Sequence, residues 1–211
     1  MAQDTKIAGE FTDTDWRNLS ATLLVDMDNT HLWEMAFEYF EKRLKTRYLN
    51  PIKHIEENGD IGGEGFAIVA IICSTIEALE SFYQGKSYRK ATAANTLDPN
   101  TEYYKSQPIF ESFLQNREPF KGDFAVPGLA TKFYENVRCA ILHEAATRSG
   151  WKIRIDSNGL VEQQGNNWVL NRALFVQAIE EYMKSYKQEL LASRNLKEAF
   201  VRKFNAICAS A

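Results

Sequence analysis

From His31 onward, Trp33, Phe37, Phe40, Leu44 and Tyr48 recur at steps of three and four. That recurrence lays bulky apolar side chains along one face of a long helix, and such a stripe stays folded only if other elements cover it. Pro51 falls near the end of this helix, and Asn58-Gly59-Asp60 with Gly62-Gly63 makes the next break. A second helix is expected over about Glu64 to Tyr83. Its first half is apolar nearly all round, as suits a central helix, and Gly85 fits its stop. Residues 86 to 105 read as a loop, Pro108 to Asn116 as a short helix. Pro127 is placed to open a further helix reaching Ser149, with Phe133, Val137, Ile141 and Ala145 at spacing i, i+4.

At Trp151 the period changes from about four to two. Trp151, Ile153 and Ile155 alternate with Lys152 and Arg154, and Asn158-Gly159 follows as a hairpin turn signal. Leu160-Val161 and Trp168-Val169 are candidates for return strands. Asn171 then caps a helix carrying Leu174, Ala178, Tyr182, Tyr186 and Leu190. A last helix, starting near Asn195 with Glu198 as its capping-box partner, buries Phe200, Phe204 and Ile207. The fold class is all-α: a helical bundle with a small β-hairpin inserted before the C-terminal helices. One domain is expected over 1–211, with an entry segment at 1–30, the hairpin insertion at 151–170 and C-terminal helices over 171–211.

Composition narrows the class. An apolar share of 45% with 25% charged residues excludes a disordered chain, and a net charge of −3 gives no global basic excess that would announce nucleic acid; no DNA partner is expected. Cys73, Cys139 and Cys208 are too scattered for a disulfide framework and read as reduced thiols of the cytoplasm. The first twenty residues hold no apolar core of a secretory signal, and the longest apolar run, Phe66 to Cys73, is eight residues. No membrane association is expected on that basis.

Chemistry concentrates between Phe133 and His143, where Arg138 and His143 are separated by four residues on one helix. Arg offers a fixed fork of donors suited to a phosphate oxygen, and His titrates near neutrality. At about 100° per residue the two would stand about 140° apart around an α-helix, flanking a face that includes Glu135, Cys139 and Leu142. They would therefore converge only with a second such helix across a seam. Glu135, three residues before Arg138, is placed to pair with it, and Glu77 and Glu80, late in the central helix, are candidate carboxylates whose ordinary place is the solvated side.

This segment resembles the HEPN superfamily, helical-bundle proteins marked by an Arg, four to six residues and a His. Tyr39 to Leu44, Arg47 to Ile52 and Gly65 to Glu77 are similar to uncharacterised bacterial proteins of that group, so the resemblance runs over roughly residues 37 to 150. It implies a homodimer without a cofactor or metal, and metal-independent RNA cleavage with Arg138 and His143 as catalytic residues. Glu77, Glu135 and Cys139 stand as supporting candidates. In active members the residue after the Arg is often Asn, Asp or His; here it is Cys139. The resemblance equally covers members that bind RNA or protein as non-catalytic scaffolds. An antitoxin or other protein partner, in a toxin, antiphage or stress system, follows from the same likeness.

Three other patterns compete. Leu23 to Val25 followed by Asp26, Asp28 and Thr30 imitates the aspartate motif of haloacid-dehalogenase phosphatases, which needs an apolar strand before the first Asp and Mg²⁺ beside it. Asp60 and Glu64 come too soon after it to be that motif's distant acids, and a turn with Asp28 or Thr30 near a helix cap is the simpler reading. Cys139 and His143, four apart, share a face that zinc would need, but Cys73, Cys208, His31 and His54 are dispersed. Lys42, Arg43, Lys45, Arg47, Lys53 and His54 fall within thirteen residues and would bind phosphate if they formed one patch.

Overall fold

The computed structural model describes residues 4–59, 62–92 and 95–210. It is an all-helical bundle with a small three-stranded sheet inserted before the two C-terminal helices. A short antiparallel pair, β1 (Lys6–Ala8) and β2 (Phe11–Thr12), precedes α1 (Asp13–Val25). Thr12 and Asp15 close a capping box around the first turn of α1, Thr12 Oγ1 accepting from Asp15 N and Asp15 Oδ2 from Thr12 N. Asn29 caps α2 (Thr30–Leu44) by accepting from Leu32 N at 3.3 Å. A π turn over Lys45–Leu49 leads directly into α3 (Asn50–Asn58). Pro51 lies in the first turn of α3 and does not end the helical run. It has no N–H to donate, and the wider turn before it accommodates the missing bond.

Helix α4 (Glu64–Gln84) ends where Gly85 adopts φ +64°, and there a Cβ would stand 2.7 Å from the Ala199 backbone. By length and apolarity α4 could span a membrane, but more than half of that stretch is buried within the protein. Between α4 and the next helix, β3 (Ser87–Tyr88) and β4 (Glu102–Tyr103) make a two-residue parallel pairing. Then come α5 (Ser106–Asn116), a single turn α6 (Phe120–Asp123) and α7 (Leu129–Phe133), which starts two residues after Pro127 behind a left-handed Gly128. A second π turn, Tyr134–Cys139, separates α7 from α8 (Ala140–Glu144), and Ala145 ends α8 in the left-handed region.

The sheet consists of β5 (Trp151–Arg154), β6 (Val161–Gln164) and β7 (Asn167–Asn171), in the order β5-β7-β6. The hairpin is β6–β7, with Val161 opposite Leu170 and Gln164 opposite Asn167, closed by Gly165-Asn166; Gly165 takes φ +61°. β5 runs parallel to β7, Trp151 opposite Trp168. Asn158-Gly159 is therefore no hairpin turn. It belongs to a connection pinned by Asn171, whose Nδ2 donates to Ser157 O at 2.8 Å and whose backbone N donates to Leu160 O. The Asn171 Oδ1 accepts from Ala173 N and Leu174 N and so caps α9 (Arg172–Ala192). Helix α10 (Arg194–Ala209) is capped by Ser193 rather than Asn195, and Glu198 pairs with Arg194.

The chain divides into two compact units. The first comprises the residues up to Arg47, Ser81–Lys105 and those from Tyr186 on. Its core is aromatic: Trp16 stacks on Phe204 at 4.3 Å, and Phe82 meets both Phe40 and Phe204 edge-on at 4.9 Å. The second comprises Tyr48–Glu80 and Ser106–Ser185. There Phe133 stacks on Phe175 and Phe110 and meets Trp151 edge-on, while Ile68, Ile72 and Ile76 are fully buried. Burying a side chain of this size contributes roughly 1.5–3 kcal/mol, so both units rest on apolar packing, supplied by the stripe positions of the sequence.

Candidate functional site

The Arg138 segment lies in the second unit, and Arg138 itself sits in the π turn. With more residues per turn than an α-helix, the angular reckoning from ideal α geometry does not apply across it. The same widening carries Arg138 away from Glu135, three residues back, and leaves Tyr134, four back, beneath it. The guanidinium lies over the Tyr134 ring at 5.3 Å, while Glu135 is exposed. Arg138 Nη2 instead donates to Glu77 Oε2 of α4 at 3.3 Å, both side chains being 20% exposed. A fork fixed from one side by a carboxylate and from below by a ring still has N–H groups to offer outward.

Burial disfavours the Arg138 charge, but Tyr134, Glu77 and Cys139 more than offset it, and its pKa ends above the ordinary value. Burial also raises the Tyr134 phenol, opposed by Ser106 and Arg138. Cys73, one helical turn before Glu77 on α4, is buried, and desolvation pushes its thiol up to about 12. Cys139 is half-buried. Tyr134 went unmarked in the sequence, although its position four residues before Arg138 is the signal that could have found it.

His143 is exposed near the end of α8, and no hydrogen bond holds its ring among the described residues. Beyond it the chain turns sharply. Ala145 and Ser149 both have positive φ, 53° and 51°, and Arg148 N donates to Asn136 O, tying the loop back to the π turn. Glu144 pairs with Arg148, which together with His143 holds the Glu144 carboxyl below its usual range. Arg138 and His143 thus differ in character: one held and partly buried, the other exposed to water.

The remaining candidates separate. Glu80 does not lie on the solvated side; it is fully buried against Arg117. Leu23–Val25 is the last turn of α1, Asp26 caps its C-terminus and accepts from Asn29 Nδ2 at 3.0 Å, and Asn29 caps the next helix. The residues leading into Asp26 are helical rather than a strand, so the phosphatase pattern is a corner between two helices; Asp60 lies outside the described residues. Of the basic cluster, Lys42 pairs with Glu10 at 2.9 Å, Arg43 and Arg47 donate to Ile7 O, and Lys53 faces Glu57 at 3.7 Å. Lys45 and His54 are exposed. Among the described residues no group of three His, Cys, Asp or Glu side chains is arranged to hold a metal. Compared with protein-family models, curated proteins and solved structures, the chain matches none.

Proposed function

We propose that this protein is a HEPN-like, metal-independent endoribonuclease of the cytoplasm, working as a homodimer in a toxin, antiphage or stress system. In this reading Arg138 binds a phosphate oxygen of RNA. His143 takes the proton of the 2′-OH, the O2′–P bond forms, the P–O5′ bond breaks, and a protonated His143 from the second copy gives its proton to the departing oxygen. The 2′-OH requirement makes RNA the substrate rather than DNA. One observation carries the reading. Arg138 is held by Glu77 at 3.3 Å and by the Tyr134 ring in a π turn, a distortion frequent at functional sites, five residues before an exposed imidazole.

The test is degradation of a labelled RNA pool in EDTA. Cleavage should leave 2′,3′-cyclic phosphate ends and disappear in His143→Ala and Arg138→Ala. Absence of cleavage by the unaltered protein, alone or with a partner that activates it, overturns the reading. A second reading, a non-catalytic dimeric scaffold, draws on the same ion pair, because Arg138 already has a carboxylate and a ring to satisfy it. It expects no cleavage and a dimer that survives both substitutions, as sedimentation would show.

A further inference from the structure

Away from the Arg138 segment, the second unit holds an open cavity of about 340 Å³ along one face of α9. Leu174, Gln177, Ala178 and Glu181 follow one another there at spacings of three and four, so they line up along the helix. Leu160, from the connection between β5 and β6, adds a second apolar side chain, and both Leu160 and Ala178 are buried. Asp123 of α6 and Gly159 complete the part of the lining that bears on binding. A Cβ at Gly159 would come 3.3 Å from Asp123 Oδ1, so this carboxylate oxygen lies against bare backbone that itself lines the cavity.

The charged side chains lining this cavity are of one sign. They are Asp123, half-buried, and Glu181, exposed, and neither carboxylate meets a cation among the described residues. The side-chain amides of Asn158 and Gln177, also in the lining, are likewise unengaged there. Phe120 and Phe124, on either side of Asp123 in the chain, both pack on Phe175, at 5.5 and 6.1 Å. Asp123 is thereby level with the Leu174 end of the α9 face. Glu181 stands at the other end, seven residues or about 10 Å further along the helix. Two negative charges with hydrocarbon between them are matched by two positive charges with hydrocarbon between them. A single metal ion is a poor match, since no three His, Cys, Asp or Glu side chains converge among the described residues. The volume falls in the range of small-molecule sites, which combine apolar walls with a few polar groups.

We propose that this cavity binds an aliphatic diamine of the polyamine class. One ammonium lies on Asp123 and the other on Glu181, and the methylene chain runs over Leu160, Leu174 and Ala178. The amide oxygens of Asn158 and Gln177 accept from ammonium N–H groups that the carboxylates leave over. The site uses neither Arg138 nor His143 and does not depend on the RNA reading.

Isothermal titration of the full chain at physiological salt with cadaverine and pentylamine tests it, the second compound lacking one ammonium. Cadaverine should bind saturably in the micromolar to millimolar range, and pentylamine at least about tenfold more weakly. Asp123→Asn and Glu181→Gln, which keep the side chains' shapes, should each weaken cadaverine about tenfold. Glu180→Gln removes the same charge from an exposed position of α9 outside the cavity and should leave binding unchanged. Absence of saturable binding by the unaltered protein, equal binding of the two amines, or equal weakening in Glu180→Gln and Glu181→Gln would each overturn the proposal. The comparison of the two amines needs no variant, so it decides even if a substitution disturbs folding.

Discussion

Glu80, fully buried on α4, accepts two hydrogen bonds from Arg117, at 2.9 Å from Nε and 3.0 Å from Nη2, and a third from Ser112 Oγ at 2.7 Å. The bidentate fork suits a planar carboxylate, and Arg117 is itself mostly buried. Removing one member of such a pair strands a charge, whereas removing both exchanges a desolvation penalty for apolar packing. Arg117→Met should therefore destabilise the protein by about 3 kcal/mol. The double variant Glu80→Leu with Arg117→Met should recover most of that loss. Urea midpoints for the two single variants and the double variant form the cycle, and equal losses in single and double variants would contradict this account.

Ala145 ends α8 at φ 53°, ψ 31°, a conformation that costs an L-residue roughly 1 kcal/mol and a glycine far less. Ala145→Gly should stabilise the chain by about 0.5 kcal/mol, after the extra freedom of glycine in the unfolded state is subtracted. A thermal midpoint raised by one to a few degrees is the expected outcome. A lowered midpoint would mean that the Ala145 methyl contributes packing that outweighs its backbone strain.

The three thiols should react in an order set by burial. Cys139 is half-buried, while Cys73 and Cys208 are buried and their thiols are raised by desolvation. Iodoacetamide at pH 8 should label Cys139 first, and peptide mass mapping over time reads the order. The Cys73 shift also has a stability sign. Its folded value of about 12 lies above the ordinary 9.0, so between those values the native state holds a proton that the unfolded chain has lost. Stability from this group is fully present below pH 9.0 and drains away as pH climbs toward about 12. Cys73→Ala should show a shallower alkaline decline than the unaltered protein, relative to its own value at pH 8.

What the sequence discloses and what it hides divide along the range of the interactions. The stripe Trp33, Phe37, Phe40 and Leu44 is buried as its spacing requires, and Asn171 caps α9 as its position requires, because both depend on residues within a turn or two. The pairing of β5 depends on β7, sixteen residues downstream of Trp151, and no local signal sets it against the nearer Asn158-Gly159 turn. The burial of Glu80 rests on Arg117, thirty-seven residues away. The two π turns leave no periodic trace, since a single widened turn shifts the apolar phase by less than one residue. At the candidate site, Arg138 and His143 were legible as a pair of residue types, and Glu77 as a neighbouring carboxylate. Tyr134, four residues before Arg138, was open to the same spacing rule, but an aromatic ring at that distance carries no mark of the cation it will hold.

The Arg138–Glu77 pair separates a structural role from a functional one. Each side chain is 20% exposed, and a partly solvated pair of this kind contributes about 1 kcal/mol. Glu77→Gln removes the charge on one side but keeps an acceptor for the Arg138 fork, so it should lower stability by no more than about 1 kcal/mol. If Arg138 serves only to hold α4 against the π turn, Arg138→Lys and Glu77→Gln should change the urea midpoint alone. If Arg138 meets RNA phosphate, Arg138→Lys should weaken the binding of a fluorescent RNA oligonucleotide, because a point charge cannot replace a bidentate fork. In that case Glu77→Gln, which leaves the guanidinium less committed, should bind the RNA as well as the unaltered protein does, or more tightly. Anisotropy titrations at two salt concentrations distinguish the cases, since loss of a phosphate contact lowers the salt slope and loss of folding does not.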